Sequence, residues 1–128
     1  RLSKGLLPLL KAGSGSVINI ASSVALRHLA NTAAYSASKA ALVMLTKNMA
    51  GEWAPYKVRV NSICPAVVNT PIQAFHGKVN EEVESMMKDI HPLGRMGEPE
   101  EIADSILYLA KHKWMTGSNL VVDGGASL

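Results

Sequence analysis

The chain has 128 residues, of which 48% are hydrophobic and 18% charged, a composition typical of a globular protein and not of a disordered chain. Its 13 basic and 10 acidic residues give a net charge of +3 and are scattered along the sequence, which argues against a nucleic-acid-binding surface. The single cysteine excludes an internal disulfide framework and suits a reducing compartment.

Hydropathy and the start of the chain add two expectations. No apolar run approaches the roughly 18 residues that a membrane span needs, and no signal-peptide pattern opens the chain, so we expect an intracellular, cytoplasmic protein without a membrane partner. Residues 1–11 have no initiator Met and resemble the last turns of an apolar helix, which ends where Gly13 follows. We therefore expect a piece of a longer protein.

A buried strand is predicted over residues 17–21, because this apolar run is interrupted only by Asn19. Such runs are typical of parallel sheets that are covered on both faces. Ser22 follows directly, at the carboxyl end of the strand, where open parallel sheets bind their ligands. Its hydroxyl is a candidate to bind a carbonyl or alcohol oxygen.

A loop is predicted over residues 24–31 and a helix over residues 33–53, which either Asn31 or Thr32 can cap. Tyr35 and Lys39 are four residues apart, so they share one helix face at about 5 to 6 Å. A nearby ammonium favours the phenolate form of a tyrosine, which turns a weak base into a usable one. The pair thus predicts an acid/base group with a tuning cation. Tyr-x-x-x-Lys alone is a weak signal, and its simpler interpretation is a solvated helix pair.

The same helix carries a stripe of Leu45, Met49 and Trp53, interpreted as core packing, and Pro55 ends it. Neither His28, in the preceding loop, nor Cys64 is predicted to be catalytic. A lone loop histidine is usually exposed. Cys64 is interpreted as a small buried residue.

The second half of the chain predicts two more strands. Residues 58–64 return parallel to the first strand by a right-handed crossover, and residues 119–123 end at a Gly-Gly pair. Between them, residues 72–91 are predicted to form either a substrate lid or an ordinary surface helix, with a loop containing Phe75, His76 and Gly77, a cap at Asn80 and an apolar face of Val83, Met86, Met87 and Ile90. A second helix begins at Pro99 and ends at residues 111–113, with acids at its start and bases at its end, as the helix dipole favours.

A serine at a strand end, a tyrosine thirteen residues on and a lysine four further resemble the short-chain dehydrogenase/reductase family, and the later segments extend the resemblance over essentially the whole chain. The resemblance implies an α/β fold with a doubly wound, Rossmann-like parallel sheet. Residues 1–128 would be the C-terminal part of that single domain, with three parallel strands and flanking helices, and the N-terminal dinucleotide-binding half would be absent.

The resemblance also implies the chemistry. Tyr35 would be the general acid/base for hydride transfer between NAD or NADP and a carbonyl or secondary alcohol, Lys39 would bond the nicotinamide ribose, and Ser22 would orient the oxygen. It implies a homodimer or homotetramer and no metal. The cofactor would contact Tyr35, Lys39 and the turn residues Pro65, Ala66, Val68 and Thr70.

Three points stay open at this level. Ala66 stands where the family has a glycine, which would cost about 1 kcal/mol if that backbone needs a positive φ. The alternative to an enzyme is a truncated, non-catalytic chain that only associates with other subunits. The substrate pocket is expected to be apolar, lined by Val24, Leu26, Val67, Ile72 and Phe75.

Overall fold

The computed structural model describes residues 2–72 and 81–128. The helices are α1 (Leu2–Ala12), α2 (Ala33–Trp53), α3 (Glu81–Asp89) and α4 (Pro99–Lys111), and the strands are β1 (Ser16–Ile20), β2 (Arg59–Pro65) and β3 (Asn119–Val122). Two short 3-10 helices, Ser23–Ala25 and Ala54–Tyr56, lie at the two ends of the α2 region.

The three strands form one parallel sheet in the order β1-β2-β3, as the sequence predicts. The register pairs Val17 with Val60 and Ile63 with Leu120. Because all three strands run the same way, their carboxyl ends meet at one edge of the sheet. The residues that follow Ile20, Pro65 and Val122 therefore share that edge.

Helices cover both faces of the sheet. On one face Val17 and Val60 pack with α2, and Asn19 Nδ2 donates to Thr46 Oγ1 at 2.9 Å. Side chains alternate along a strand, so Arg59 points to the other face, where its guanidinium donates to the carbonyls of Leu109 and Ala110 in α4. The sheet is therefore doubly wound. The connection from β1 to β2 passes through α2, and the connection from β2 to β3 passes through α4 on the other face. Both connections move in the same direction across the sheet, so the two crossovers have opposite handedness.

The core between α1, α2 and the sheet differs in one detail from the predicted stripe. Val43, Thr46, Met49, Ala50 and Trp53 are the buried residues of α2, whereas Leu45 is 49% exposed. Thr46 takes a core position because its hydroxyl is satisfied twice, by Asn19 and by donating to the Leu42 carbonyl. The buried face of α2 therefore includes Thr46 and excludes Leu45, whereas the predicted stripe of apolar residues included Leu45 and left out the polar Thr46.

The end of α1 also differs in detail. The helix ends at Ala12 before the glycines, as predicted, but the left-handed residue is Ser14, with φ 50°. Gly15 has another role, since a Cβ there would lie 2.5 Å from Leu10 Cδ2. Its amide donates to the Leu10 carbonyl at 2.8 Å, so the chain passes tightly over the helix end.

Two other local predictions are refined. Thr32 stands at the N-cap of α2, but its hydroxyl donates to the Leu29 carbonyl and bonds Ser36 Oγ instead of capping the helix N–H groups. Helix α3 forms within the predicted 72–91 segment, with Met86 59% exposed. The predicted loop residues Phe75, His76 and Gly77, the cap Asn80 and the side chain of Val83 lie outside the described residues. None of the helices over the described ranges is long and apolar enough to cross a membrane.

The start of α4 is fixed by an ion pair that also caps the helix. Glu101 accepts from both guanidinium nitrogens of Arg95, at 2.7 and 2.8 Å, and from the Glu98 amide at 2.8 Å. These contacts, Arg95 first, lower the pKa of Glu101 to about 2.

We expect Glu101→Gln to lower the melting temperature at neutral pH. The difference in melting temperature between the variant and the wild type should become smaller in acid. A carboxylate with a depressed folded pKa stabilises the fold fully above its unfolded pKa of about 4.3, and this stabilisation is lost as pH falls through about 2. Both side chains are exposed, so added salt should also shrink the deficit. Thermal unfolding across this pH range checks it. Glu100→Gln, beside it, makes none of these contacts and serves as control; an equal deficit there would contradict the assignment.

Candidate active site

Ser22 lies at the carboxyl edge of the sheet, held by the ends of two strands. The amide of Ala21 donates to the Ile63 carbonyl at 2.8 Å, which extends the β1–β2 ladder by one residue. Ser22 is then extended, with φ −166° and ψ 155°, and its Oγ accepts from the Val24 amide at 3.4 Å. Its hydroxyl therefore caps the 3-10 helix as an acceptor and retains its hydrogen for donation to another oxygen.

Tyr35 and Lys39 lie on one face of α2, as their spacing predicts. Lys39 Nζ is 5.5 Å from the centroid of the Tyr35 ring and donates to the Ile20 carbonyl at 2.9 Å. The lysine thus ties the first turns of α2 to the end of β1, two residues before Ser22. The Tyr35 side chain is 51% exposed, so a small molecule has access to it.

Cys64 lies beneath this edge and is fully buried, as predicted for a small core residue. Its Sγ bonds Asn119 Oδ1 at 3.0 Å. Burial raises the pKa of the Cys64 thiol, although the contacts with the Ser22 backbone and the Asn119 side chain act the other way. A neutral buried thiol is a packing group and not a nucleophile.

The turn after β2 is held by a strand-like contact with the segment before α4. Gly97 donates to the Val67 carbonyl at 3.0 Å, and the Asn69 amide donates back to the Gly97 carbonyl at 2.8 Å. Thr70 Oγ1 donates to the Val68 carbonyl at 3.4 Å. Ala66, which stands where the family has a glycine, does not have a positive φ. The alanine therefore does not strain the backbone of this turn.

The family model described as enoyl-(acyl carrier protein) reductase matches residues 1–127, nearly the whole chain. The chain belongs to the short-chain dehydrogenase/reductase family. This assignment confirms the resemblance seen in the sequence, and the doubly wound parallel sheet agrees with it.

Individual members of the short-chain dehydrogenase/reductase family match this chain over most of its length. An NAD-dependent glycerol dehydrogenase of Listeria innocua is 40% identical over 124 residues, covering 94% of this chain and 47% of that protein. The structure of a 3-ketoacyl-(acyl-carrier-protein) reductase from Brucella melitensis complexed with NADH superimposes with a TM-score of 0.86 at 32% identity, covering 98% of this chain and 52% of the other. ElxO with NADP bound gives 0.85 at 28% identity, covering 97% and 51%. The chain spans about half the length of the curated relatives it matches.

The predicted pocket residues differ in exposure, and Val67, in the turn after β2, is half-buried. Leu26 and Ile72 are 48% and 64% exposed and lie after the carboxyl ends of β1 and β2. Val24, by contrast, is 7% exposed and belongs to the core, so it does not line an open pocket as predicted. Phe75 lies outside the described residues.

One polar residue of this edge is missed by the sequence analysis. His91 is 3% exposed and both of its ring nitrogens are engaged, Nδ1 with the Met87 carbonyl at 2.8 Å and Nε2 with the Val67 amide at 3.3 Å. His28 is exposed, as predicted for it. The sequence does not indicate that His91 is buried and His28 exposed. The partner that marks His91, the Val67 amide, is 24 residues away along the chain. In the part of the chain that the structure describes, no group of three or more His, Cys, Asp or Glu side chains is arranged to hold a metal ion.

Proposed function

We propose that the protein carrying this chain is an NAD(P)-dependent oxidoreductase that interconverts a carbonyl compound and a secondary alcohol, with Tyr35 as general acid/base. The observation that carries the proposal is the position of Lys39 Nζ, between the Ile20 carbonyl and the Tyr35 ring, at the strand end that bears Ser22. The bound nicotinamide would supply or accept the hydride. The chain's own residues would handle the substrate oxygen and its proton.

Tyr35 would donate its phenolic proton to the carbonyl oxygen in reduction and take it back in oxidation. Lys39 is suited to assist because an ammonium has three N–H donors and the Ile20 carbonyl uses one of them. The others are available to the tyrosine oxygen and to a ribose hydroxyl. The positive charge of Lys39 would also stabilise the negative charge that develops on the Tyr35 oxygen during proton transfer.

Ser22 would orient the substrate oxygen. Its hydroxyl accepts from the Val24 amide, and its remaining hydrogen can donate to the same oxygen that Tyr35 protonates. A donor fixed in advance stabilises the charge that develops on that oxygen in the transition state.

The cofactor would lie along the turn after β2, contacting Pro65, Ala66, Val68 and Thr70. The turn fits this role in two ways: it follows the carboxyl end of the middle strand, and its backbone is fixed by the bonds between Val67, Asn69 and Gly97. One similar structure has NADH bound and another has NADP bound, so we propose either NAD or NADP as the cofactor of this protein.

The substrate would be a small carbonyl or alcohol compound with apolar substituents, since Leu26 and Ile72 present apolar side chains at this edge. We also propose a homodimer or homotetramer. Its support is the outer side of α2, where Met44 and Leu45 are 55% and 49% exposed.

A second possibility, a truncated chain that only associates with other subunits, is favoured by one observation. Within the described sheet, β1 is an edge strand, and its Ile20 is 44% exposed. Unpaired strand edges invite association with another chain. Intact mass of the native protein, measured together with an assay, separates the two: a chain about twice as long that turns over substrate supports the enzyme.

The assay follows NADH and NADPH oxidation by the native protein with a panel of small ketones and aldehydes, and the reverse reaction with secondary alcohols. We expect turnover with one of the two cofactors. Absence of cofactor binding by calorimetry in a folded, monodisperse native protein would contradict the proposed function.

A further inference from the structure

The buried ring of His91 is held in a single tautomer by its two backbone partners. The Met87 carbonyl can only accept, so Nδ1 carries the hydrogen, and the Val67 amide can only donate, so Nε2 accepts. The neutral ring therefore bridges the last turns of α3 and the turn after β2.

The peptide groups at Val67 are clamped from two sides. The Val67 amide donates to His91 Nε2, and the Gly97 amide donates to the Val67 carbonyl at 3.0 Å. Because Val68, a proposed cofactor contact, is the next residue, the orientation of its peptide depends on this clamp.

The ring is also fixed from the end of β3. Gly124 has φ +59°, and a Cβ there would lie 3.3 Å from His91 Cδ2. The backbone closes around it as well, since Gly94 donates to the His91 carbonyl at 2.8 Å and Leu93 to the Gly124 carbonyl at 3.1 Å. The ring thus has little room to shift.

We infer that His91 is a positioning residue: by accepting the Val67 amide it fixes the turn after β2 and thereby sets the affinity for the nicotinamide cofactor. The link to cofactor rests on the proposed function, whereas the clamp on Val67 rests on the geometry of this chain. Both ring nitrogens of a buried histidine need partners, and here those partners belong to two separate segments, which the ring therefore links.

Two substitutions separate the two ring nitrogens. In His91→Gln the side-chain carbonyl reaches the position of Nε2 and can still accept from Val67, whereas in His91→Asn the amide reaches only the position of Nδ1 and keeps the Met87 bond. Both variants remove the ring, and they differ in which of its two backbone bonds the amide can replace.

The first measurement is hydrogen–deuterium exchange of the Val67 amide in the native full-length protein without cofactor. We expect exchange to accelerate about tenfold in His91→Asn and to stay within about threefold of wild type in His91→Gln, as the loss of one hydrogen bond implies. Equal acceleration in both variants, or none in His91→Asn, overturns the clamp.

The second measurement is the Kd for NAD(H) and NADP(H) by calorimetry, with kcat at saturating cofactor. Kd should rise about 3- to 10-fold in His91→Asn and recover in His91→Gln, while kcat changes less. If exchange responds but Kd does not, the link to cofactor is overturned. If the wild type binds neither cofactor, the proposed function fails, and the exchange result still decides the clamp.

Gly124→Ala gives an independent test from the opposite side of the ring. Its Cβ would press on His91 at 3.3 Å, whereas Gly117→Ala, before β3 and with φ +72°, meets only Ala50 Cβ at 3.5 Å, an ordinary van der Waals contact. The two substitutions strain the backbone similarly, so only Gly124→Ala should accelerate Val67 exchange and raise Kd. Equal effects from both would count against the inference.

Discussion

Replacing Tyr35 with phenylalanine is expected to reduce turnover by about 10²- to 10⁴-fold in the full-length protein while cofactor still binds. The substitution keeps the ring beside Lys39, 5.5 Å from its ammonium, and removes only the hydroxyl that would carry the proton. The loss should therefore fall on kcat and kcat/KM together, since the missing interaction is made in the transition state. Steady-state kinetics in both directions, with calorimetric titration of the cofactor, measure it.

Tyr108→Phe is the matched control, because the Tyr108 side chain is also 51% exposed and lies on α4. It should leave turnover unchanged. Turnover of Tyr35→Phe within about threefold of wild type would remove Tyr35 from the acid/base role, since general acid/base loss is far larger.

Replacing Lys39 with methionine should have the second largest effect, because one ammonium would serve two partners, Tyr35 and the cofactor. Methionine keeps the length and apolar stem of the side chain but removes the charge and the bond to the Ile20 carbonyl. Without the cation the negative charge that develops on the Tyr35 oxygen during proton transfer is less stabilised. Turnover at neutral pH should fall by about 10²-fold, and the Kd for cofactor should rise about tenfold.

Steady-state kinetics at neutral pH and calorimetric titration of the cofactor check this prediction. Lys47→Met, on the same helix and exposed, should change neither quantity. Unchanged turnover together with unchanged cofactor affinity in Lys39→Met would show that the lysine has neither role.

The fold was predicted well because its signals are local. The apolar runs at 17–21 and 58–64 lie within one or two residues of β1 and β2, and Pro99 with its acidic neighbours begins α4 as predicted. The position of α4 was not predicted. It lies on the face opposite α2 because Arg59, pointing away from the α2 side, bonds the carbonyls at the end of α4. Such a choice depends on a contact between residues 50 positions apart.

The candidate site divides in the same way. The sequence by itself determined that Tyr35 and Lys39 share a helix face and that Ser22 ends a strand, because four-residue spacing in a helix and the end of an apolar run are local properties. Only the tertiary structure decided that Lys39 reaches the Ile20 carbonyl and that His91 holds the Val67 amide. Each of these bonds joins residues 19 or more positions apart, and an imidazole has the same donors and acceptors whether it is buried or exposed, so its partners are set by packing.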